Sequence, residues 1–111
     1  MVVDSLTEQF GIRSLEFSPE FGFKLNGKKI FLQGNANHHD LGALGAASYD
    51  RAIERMMLQL KSFGYNCIRC SHNPYSESFA RIADRVGMLV VNELTDKWSD
   101  NDYWGGRQPF T

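Results

Sequence analysis

The chain has little excess of anything. Twelve Lys and Arg face thirteen Asp and Glu, a formal net charge of -1. A nucleic-acid module would instead carry a clustered basic surplus. No run of about 18 apolar residues occurs, so a transmembrane helix is excluded. Met1-Val2-Val3-Asp4-Ser5 has no basic region leading into a long apolar stretch, and no signal peptide is visible. G-x-G-x-x-G, the P-loop lysine motif and H-E-x-x-H are all missing, which leaves nucleotide and metalloprotease readings without support. Of the 111 residues, 42% are hydrophobic and 13% aromatic, too apolar for a disordered tail and enough for one domain at most.

Cysteine is scarce, and the two present form a C-x-x-C, Cys67 and Cys70. A thioredoxin-like pair needs its first cysteine exposed at a helix N-terminus, where the dipole lowers its pKa. These two lie in Asn66-Cys67-Ile68-Arg69-Cys70-Ser71, a β-like stretch. Positions three apart on a strand point to opposite faces, so the sulfurs diverge. Zinc would require two more ligands, and His38, His39 and His72 lack finger-like spacing. The pair reads first as buried structural cysteines, with metal and redox roles as alternatives.

The first 20 residues carry a weak strand signal at Phe10-Gly11-Ile12-Arg13, Leu15 and Phe17. From Phe21 the pattern sharpens. Phe23 and Leu25 alternate with Lys24 and Asn26, and Asn26-Gly27 tolerates the positive φ of a type I′ turn, so a β-hairpin is expected. Ile30-Phe31-Leu32 is short and continuously apolar, as a strand buried on both faces would be. Ile53, Met56, Met57, Leu60 and Phe63 form one stripe at helical spacing over 50–63. Asp50 or Ser48 can cap this helix and Gly64 can stop it. A strand at Cys67-Ile68 follows, then a helix over 76–86 stopped by Gly87, then a strand at Met88-Leu89-Val90-Val91. Strand, helix, strand, helix, strand with short links predicts right-handed βαβ units and a parallel sheet, an α/β fold. Beyond Glu93 lies a polar, aromatic, glycine-containing stretch.

The reactive side chains gather at one level. His38 and His39 follow the first predicted strand, Arg69 and His72 the second, and Glu93 the third. Carboxyl ends of parallel strands are where such folds bind ligands. Arg69, His38, His72 and Asn73 supply donors, and Glu93 and Asp96 supply acceptors. Trp98, Tyr103 and Trp104 offer flat apolar faces. Donors, acceptors and aromatic platforms together suit a polyhydroxylated ligand such as a sugar.

The residues Phe23-Lys24-Leu25-Asn26-Gly27-Lys28-Lys29-Ile30-Phe31-Leu32-Gln33-Gly34, Asn66-Cys67-Ile68-Arg69-Cys70-Ser71-His72-Asn73-Pro74 and Asp84-Arg85-Val86-Gly87-Met88-Leu89-Val90-Val91-Asn92-Glu93 resemble three successive motifs of glycoside hydrolase family 2. This is the β-galactosidase and β-glucuronidase family. Leu44-Gly45-Ala46-Ala47 and Tyr49 to Arg55 look like its first barrel loop and helix. The resemblance covers about Phe21 to Trp98 in family order. It implies an incomplete (β/α)8 TIM barrel, with its first three βα strands, preceded by a β-hairpin or the end of a β-sandwich domain. Residues 1–20 would be the tail of that domain or a linker, and 21–111 the first part of the catalytic barrel.

In activity the resemblance implies a retaining exo-β-glycosidase. The family's acid/base is a glutamate of an Asn-Glu pair on the fourth strand, and its nucleophile lies on the seventh. Asn92-Glu93 stands on the third and matches the family's Asp-Glu. The chain is therefore expected to hold no catalytic residue and to be inactive alone. His38, Arg69, His72, Asn73, Glu93, Asp96 and Trp98 are the substrate-binding residues it implies, with a β-glycoside as partner. Gly34-Asn35-Ala36-Asn37-His38 departs from the family's common G-V-N-R-H. Leu94-Thr95-Asp96-Lys97-Trp98 lacks the Glu-x-His that binds magnesium in some β-galactosidases, so no metal and no cofactor are expected. Three parallel strands alone would leave two open edges through which the chain could self-associate. The competing readings are a non-catalytic carbohydrate-binding or assembly module, and a metal or redox protein built on the cysteines and histidines.

Overall fold

A computed structural model describes residues 3–94 and divides the chain into two compact units, between Phe31 and Leu32. The first contains β1 (Leu15–Ser18), β2 (Gly22–Leu25) and β3 (Lys28–Lys29), an antiparallel sheet in that order. Asn26 and Gly27 sit at φ 51° and 73°, as the expected hairpin turn requires. Asn26 also ties back to Ser14, which donates its N–H to the Asn26 side chain at 2.9 Å. Phe17 and Phe23 are register partners and stack at 4.8 Å, a cross-strand pair that fixes the β1–β2 alignment.

The second unit holds β4 (Gly34–Asn37), a 3-10 turn (Gly42–Leu44), α1 (Asp50–Ser62), β5 (Cys67–Cys70), α2 (Glu77–Val86) and β6 (Leu89–Asn92). Its strands are parallel and in sequence order, β4-β5-β6. The expected strand at Ile30–Leu32 is not there, because Phe31 is 83% exposed and the Ile30 N–H donates to Phe23, which continues the hairpin. The first parallel strand is the polar Gly34–Asn37 instead. Its ladder begins at Gln33, whose carbonyl accepts the Asn66 and Cys67 N–H groups while its own N–H donates to the Asn66 side chain.

Both helices lie where the apolar period puts them. Ile53 and Met57 of α1 are buried, and Met56 and Leu60 pack beside them. Phe63 falls outside the stripe, 77% exposed, since it terminates the helix with φ -88° and ψ 5°. The helix stops at Gly64 (φ 89°): the Tyr65 N–H returns to Leu60 and the Gly64 N–H to Lys61, a Schellman closure. Neither Ser48 nor Asp50 caps α1. Tyr49 holds the cap position without a side-chain bond, and Asp50 is the first helical residue, where its charge suits the helix dipole. For α2 the Ser76 hydroxyl accepts the Phe79 N–H at 3.2 Å, and Gly87 ends the helix in the left-handed region.

Pairing puts Asn35, Ile68 and Val90 on one face of the sheet and Ala36, Arg69 and Val91 on the other. The first face meets the helices. Ile68 and Cys70 are fully buried there against Met57, Phe79, Ile82, Ala83 and Met88. Helix α1 is joined to α2 by Glu54–Arg85 at 3.0 Å and by Lys61, whose ammonium donates to the Val86 carbonyl. Gly34 is required by close approach: a Cβ there would stand 2.2 Å from the Cys67 carbonyl oxygen.

Candidate functional site

The three parallel strands run the same way, so their carboxyl ends deliver side chains to a common rim. His38 follows β4, Arg69 and His72 close β5, and Glu93 follows β6. The Arg69 guanidinium pairs with Oε1 of Glu93, and Nδ1 of His72 lies 3.1 Å from Oε2 of the same carboxylate. Arg69 also approaches His72 Nδ1, at 3.4 Å. An ionised carboxylate can only accept, so Nδ1 is the nitrogen that carries hydrogen, which leaves Nε2 as the acceptor of the neutral ring. The His38 ring meets the His72 ring edge-on, 5.4 Å between centroids at 74°. Four of the predicted residues therefore form one continuous group: His38, His72, Glu93 and Arg69.

This group settles the charge of Glu93. Desolvation pushes its carboxyl upward, but the His72 hydrogen bond and the adjacent Arg69 guanidinium outweigh it and hold the pKa below the ordinary value. Glu93 is an ionised acceptor at neutral pH. It is poorly suited to donate a proton to a leaving group, which calls for a raised pKa. Arg69 reaches it from the sheet face opposite the helices, with its register partners Ala36 and Val91 beside it.

The other predicted residues behave differently. Asn73 is half-buried, and its Oδ1 is among the buried side-chain oxygens without a hydrogen-bond partner, together with those of Asn35 and Ser71. Asp96 and Trp98 lie outside the described residues. His39 is not part of that group and stacks on Tyr75 at 4.2 Å. A cavity of about 60 Å³ is lined by His38 and His39 together with the apolar Ile53, Met56 and Phe79.

The cysteines are buried and unbonded, Cys67 on the Arg69 face and Cys70 in the core. Burial, helped by the charges of Cys67 and Glu93, pushes the Cys70 thiol up to about 11, the reverse of an activated thiol. Among the described residues, no group of three His, Cys, Asp or Glu side chains could hold a metal ion.

Tyr75 is the residue that motif reading misses. Its hydroxyl donates to the Asn37 carbonyl at 2.5 Å, across 38 positions of sequence. Its only sequence signal is an aromatic residue directly after Asn73-Pro74.

Comparison with known proteins identifies the family. The model of the glycosyl hydrolases family 2 TIM barrel domain matches residues 20–99. A β-galactosidase of Bacteroides ovatus is 45% identical over 96 residues, which is 86% of this chain and 11% of that protein. A putative β-glucuronidase of Formosa agariphila is 37% identical over 112 residues, 98% of this chain and 11% of that protein. Among solved structures, a family 2 member from Bacteroides cellulosilyticus superposes with a TM-score of 0.75 at 47% identity, covering 84% of this chain and 12% of that one. The β-glucuronidase of Parabacteroides merdae gives 0.72 at 36%, covering 78% and 11%. The chain thus spans about a tenth of these relatives.

Proposed function

This chain belongs to glycoside hydrolase family 2, within its TIM-barrel domain, and we propose that it supplies part of the sugar-binding rim of a retaining exo-β-glycosidase. The observation that carries this reading is the Arg69–Glu93–His72 group with His38 at its edge, on the ends of three successive parallel strands. Such a rim offers a charged acceptor, a guanidinium and two imidazoles within one span, the set that a ring of hydroxyl groups needs. Asn73 is assigned to the same subsite, and the sequence motifs assign Asp96 and Trp98 to it as well. In this reading β4, β5 and β6 are the first three strands of a (β/α)8 barrel. Residues 1–20 are the end of a preceding β-sandwich domain or a linker, and 21–111 the start of the catalytic domain.

Retaining hydrolysis uses two carboxyl groups about 5–5.5 Å apart, one as nucleophile and one as acid/base. Glu93 is committed to Arg69 and His72 and kept ionised by them, so it serves as an orienting acceptor. The 111 residues alone accordingly bind a β-glycoside and do not cleave it, and the edges of β4 and β6, which no described strand pairs, favour self-association at high concentration. The relatives' names favour a β-galactoside or a β-glucuronide as the sugar of the whole protein.

The experiment is a pair of assays with aryl β-galactoside and β-glucuronide. The 111-residue chain is expected to show saturable binding by NMR titration without product. The whole protein is expected to release aryl alcohol with retention of anomeric configuration. Inverted product would discard the retaining mechanism, and absence of any sugar-dependent shift at His38 or His72 would discard the rim.

A further inference from the structure

Tyr75 joins the segments that carry the rim. The Asn37 carbonyl that accepts its hydroxyl also accepts the Ser71 backbone N–H at 2.9 Å. One oxygen at the end of β4 therefore tethers both the end of β5 and the loop beyond it. On its apolar side the Tyr75 ring is clamped, stacked on His39 at 4.2 Å and edge-on to the buried Phe79 at 4.6 Å. The hydroxyl is thus aimed by packing, and it has little freedom to turn elsewhere.

The tethered carbonyl has a particular place in the chain. The Asn37 C=O and the His38 N–H belong to one rigid peptide plane. Holding that oxygen fixes the plane from which His38 departs. We propose that Tyr75 is a positioning residue for the glycosidase site: its hydroxyl locks the Asn37–His38 peptide against the Ser71–Tyr75 loop and so sets His38 against His72. The inference rests on the function proposed above. Tyr75 need not touch the sugar. It acts through His38, whose ring stands 5.4 Å from that of His72, and through His72 on Glu93. The Ser71 N–H keeps its acceptor whether or not the phenol is present, so the β4–β5 ladder survives loss of the hydroxyl, and orientation is what suffers.

Tyr75→Phe keeps both ring contacts and deletes only the donor. In the whole protein, kcat on an aryl β-glycoside is expected to fall roughly 10-fold with KM nearly unchanged, since small misplacements of site groups act on the reacting geometry. The melting temperature should stay within the scatter of replicates. In NMR spectra of the 111-residue chain the His38–His72 ring contacts should weaken. Tyr75→Leu, which also removes the ring, should show the same loss of kcat together with a lower melting temperature. A Tyr75→Phe protein with the wild-type kcat overturns the proposal. If the wild-type protein cleaves neither a β-galactoside nor a β-glucuronide, the glycosidase reading itself fails. The NMR comparison then decides the tether alone: weakened His38–His72 contacts uphold it, and unchanged contacts remove it.

Discussion

His72 donates from Nδ1 to Glu93 across 3.1 Å, and this bond turns the opposite nitrogen, Nε2, into the free end of the ring. The assignment follows from the carboxylate, which can only accept. On the proposed function, loss of the ring should remove a contact to the sugar in the transition state. For His72→Ala in the whole protein, kcat/KM is expected to drop about 10-fold or more. Steady-state kinetics beside a melting curve make the check, and an unchanged kcat/KM would take His72 out of the site.

The same cluster predicts an acid limit. The folded pKa of Glu93 is depressed, so its contribution to stability is complete above the ordinary carboxylate value of 4.5 and is lost as pH falls through the lower folded value. Carboxyl 13C shifts of Glu93 followed from pH 7 to pH 2 should titrate below the ordinary range. Arg69→Met should move that titration upward, and a Glu93 midpoint indifferent to Arg69 would contradict the pairing.

Gly34→Ala should destabilise the chain by about 1–3 kcal/mol, the usual cost of overpacking. The added Cβ would meet the Cys67 carbonyl at 2.2 Å, and backbone on both strands must then shift. Gly34 is not among the glycines at positive φ, so the effect is steric alone. Urea denaturation measures it, and a midpoint equal to wild type would show that β4 and β5 do not approach as described.

The helices, the hairpin and the third strand were legible because their signals are local. Period, glycines at Gly64 and Gly87, and Asn26-Gly27 each act within a few residues. The first parallel strand was not. Gly34-Asn35-Ala36-Asn37 is poor strand sequence, and it is extended because β5 supplies its ladder from a distant part of the chain. Ile30-Phe31-Leu32 looked like the better strand, although apolarity alone does not say what covers it. At the site, His38, Arg69, His72 and Glu93 were visible as polar groups at strand ends. Tyr75 was not, because its partner is a backbone carbonyl and no side-chain pattern marks one. The cis peptide between Ser71 and His72 had no sequence signal either.

Ser76→Ala should cost α2 about 1 kcal/mol, the typical worth of an N-cap hydroxyl. The Phe79 N–H loses its acceptor, while the core face of the helix is untouched. Amide exchange at Phe79 should accelerate relative to Ile82, and equal protection in both proteins would refute the cap.

Cys70 should make the chain sensitive to alkali. Its folded pKa is raised to about 11 from 9.0, so the stability of the neutral thiol is complete below the unfolded value and declines as pH rises toward the folded one. Melting temperatures should fall between about pH 9 and 11, and Cys70→Ala should flatten that decline. Iodoacetamide should label Cys70 only in denaturant, and rapid labelling of the native chain would contradict its burial.

The parallel sheet has a simple wiring: Gly34 meets Cys67, and Cys67 meets Leu89, so every strand pairs with the next one along the chain. Among the described residues, no strand is inserted between two earlier ones. Each pairing still has to close over a whole helix, α1 for the first and α2 for the second, so both contacts are non-local and the sheet forms more slowly than the helices it carries. Among the described strands, each finds its neighbour already released when a ribosome delivers them in chain order.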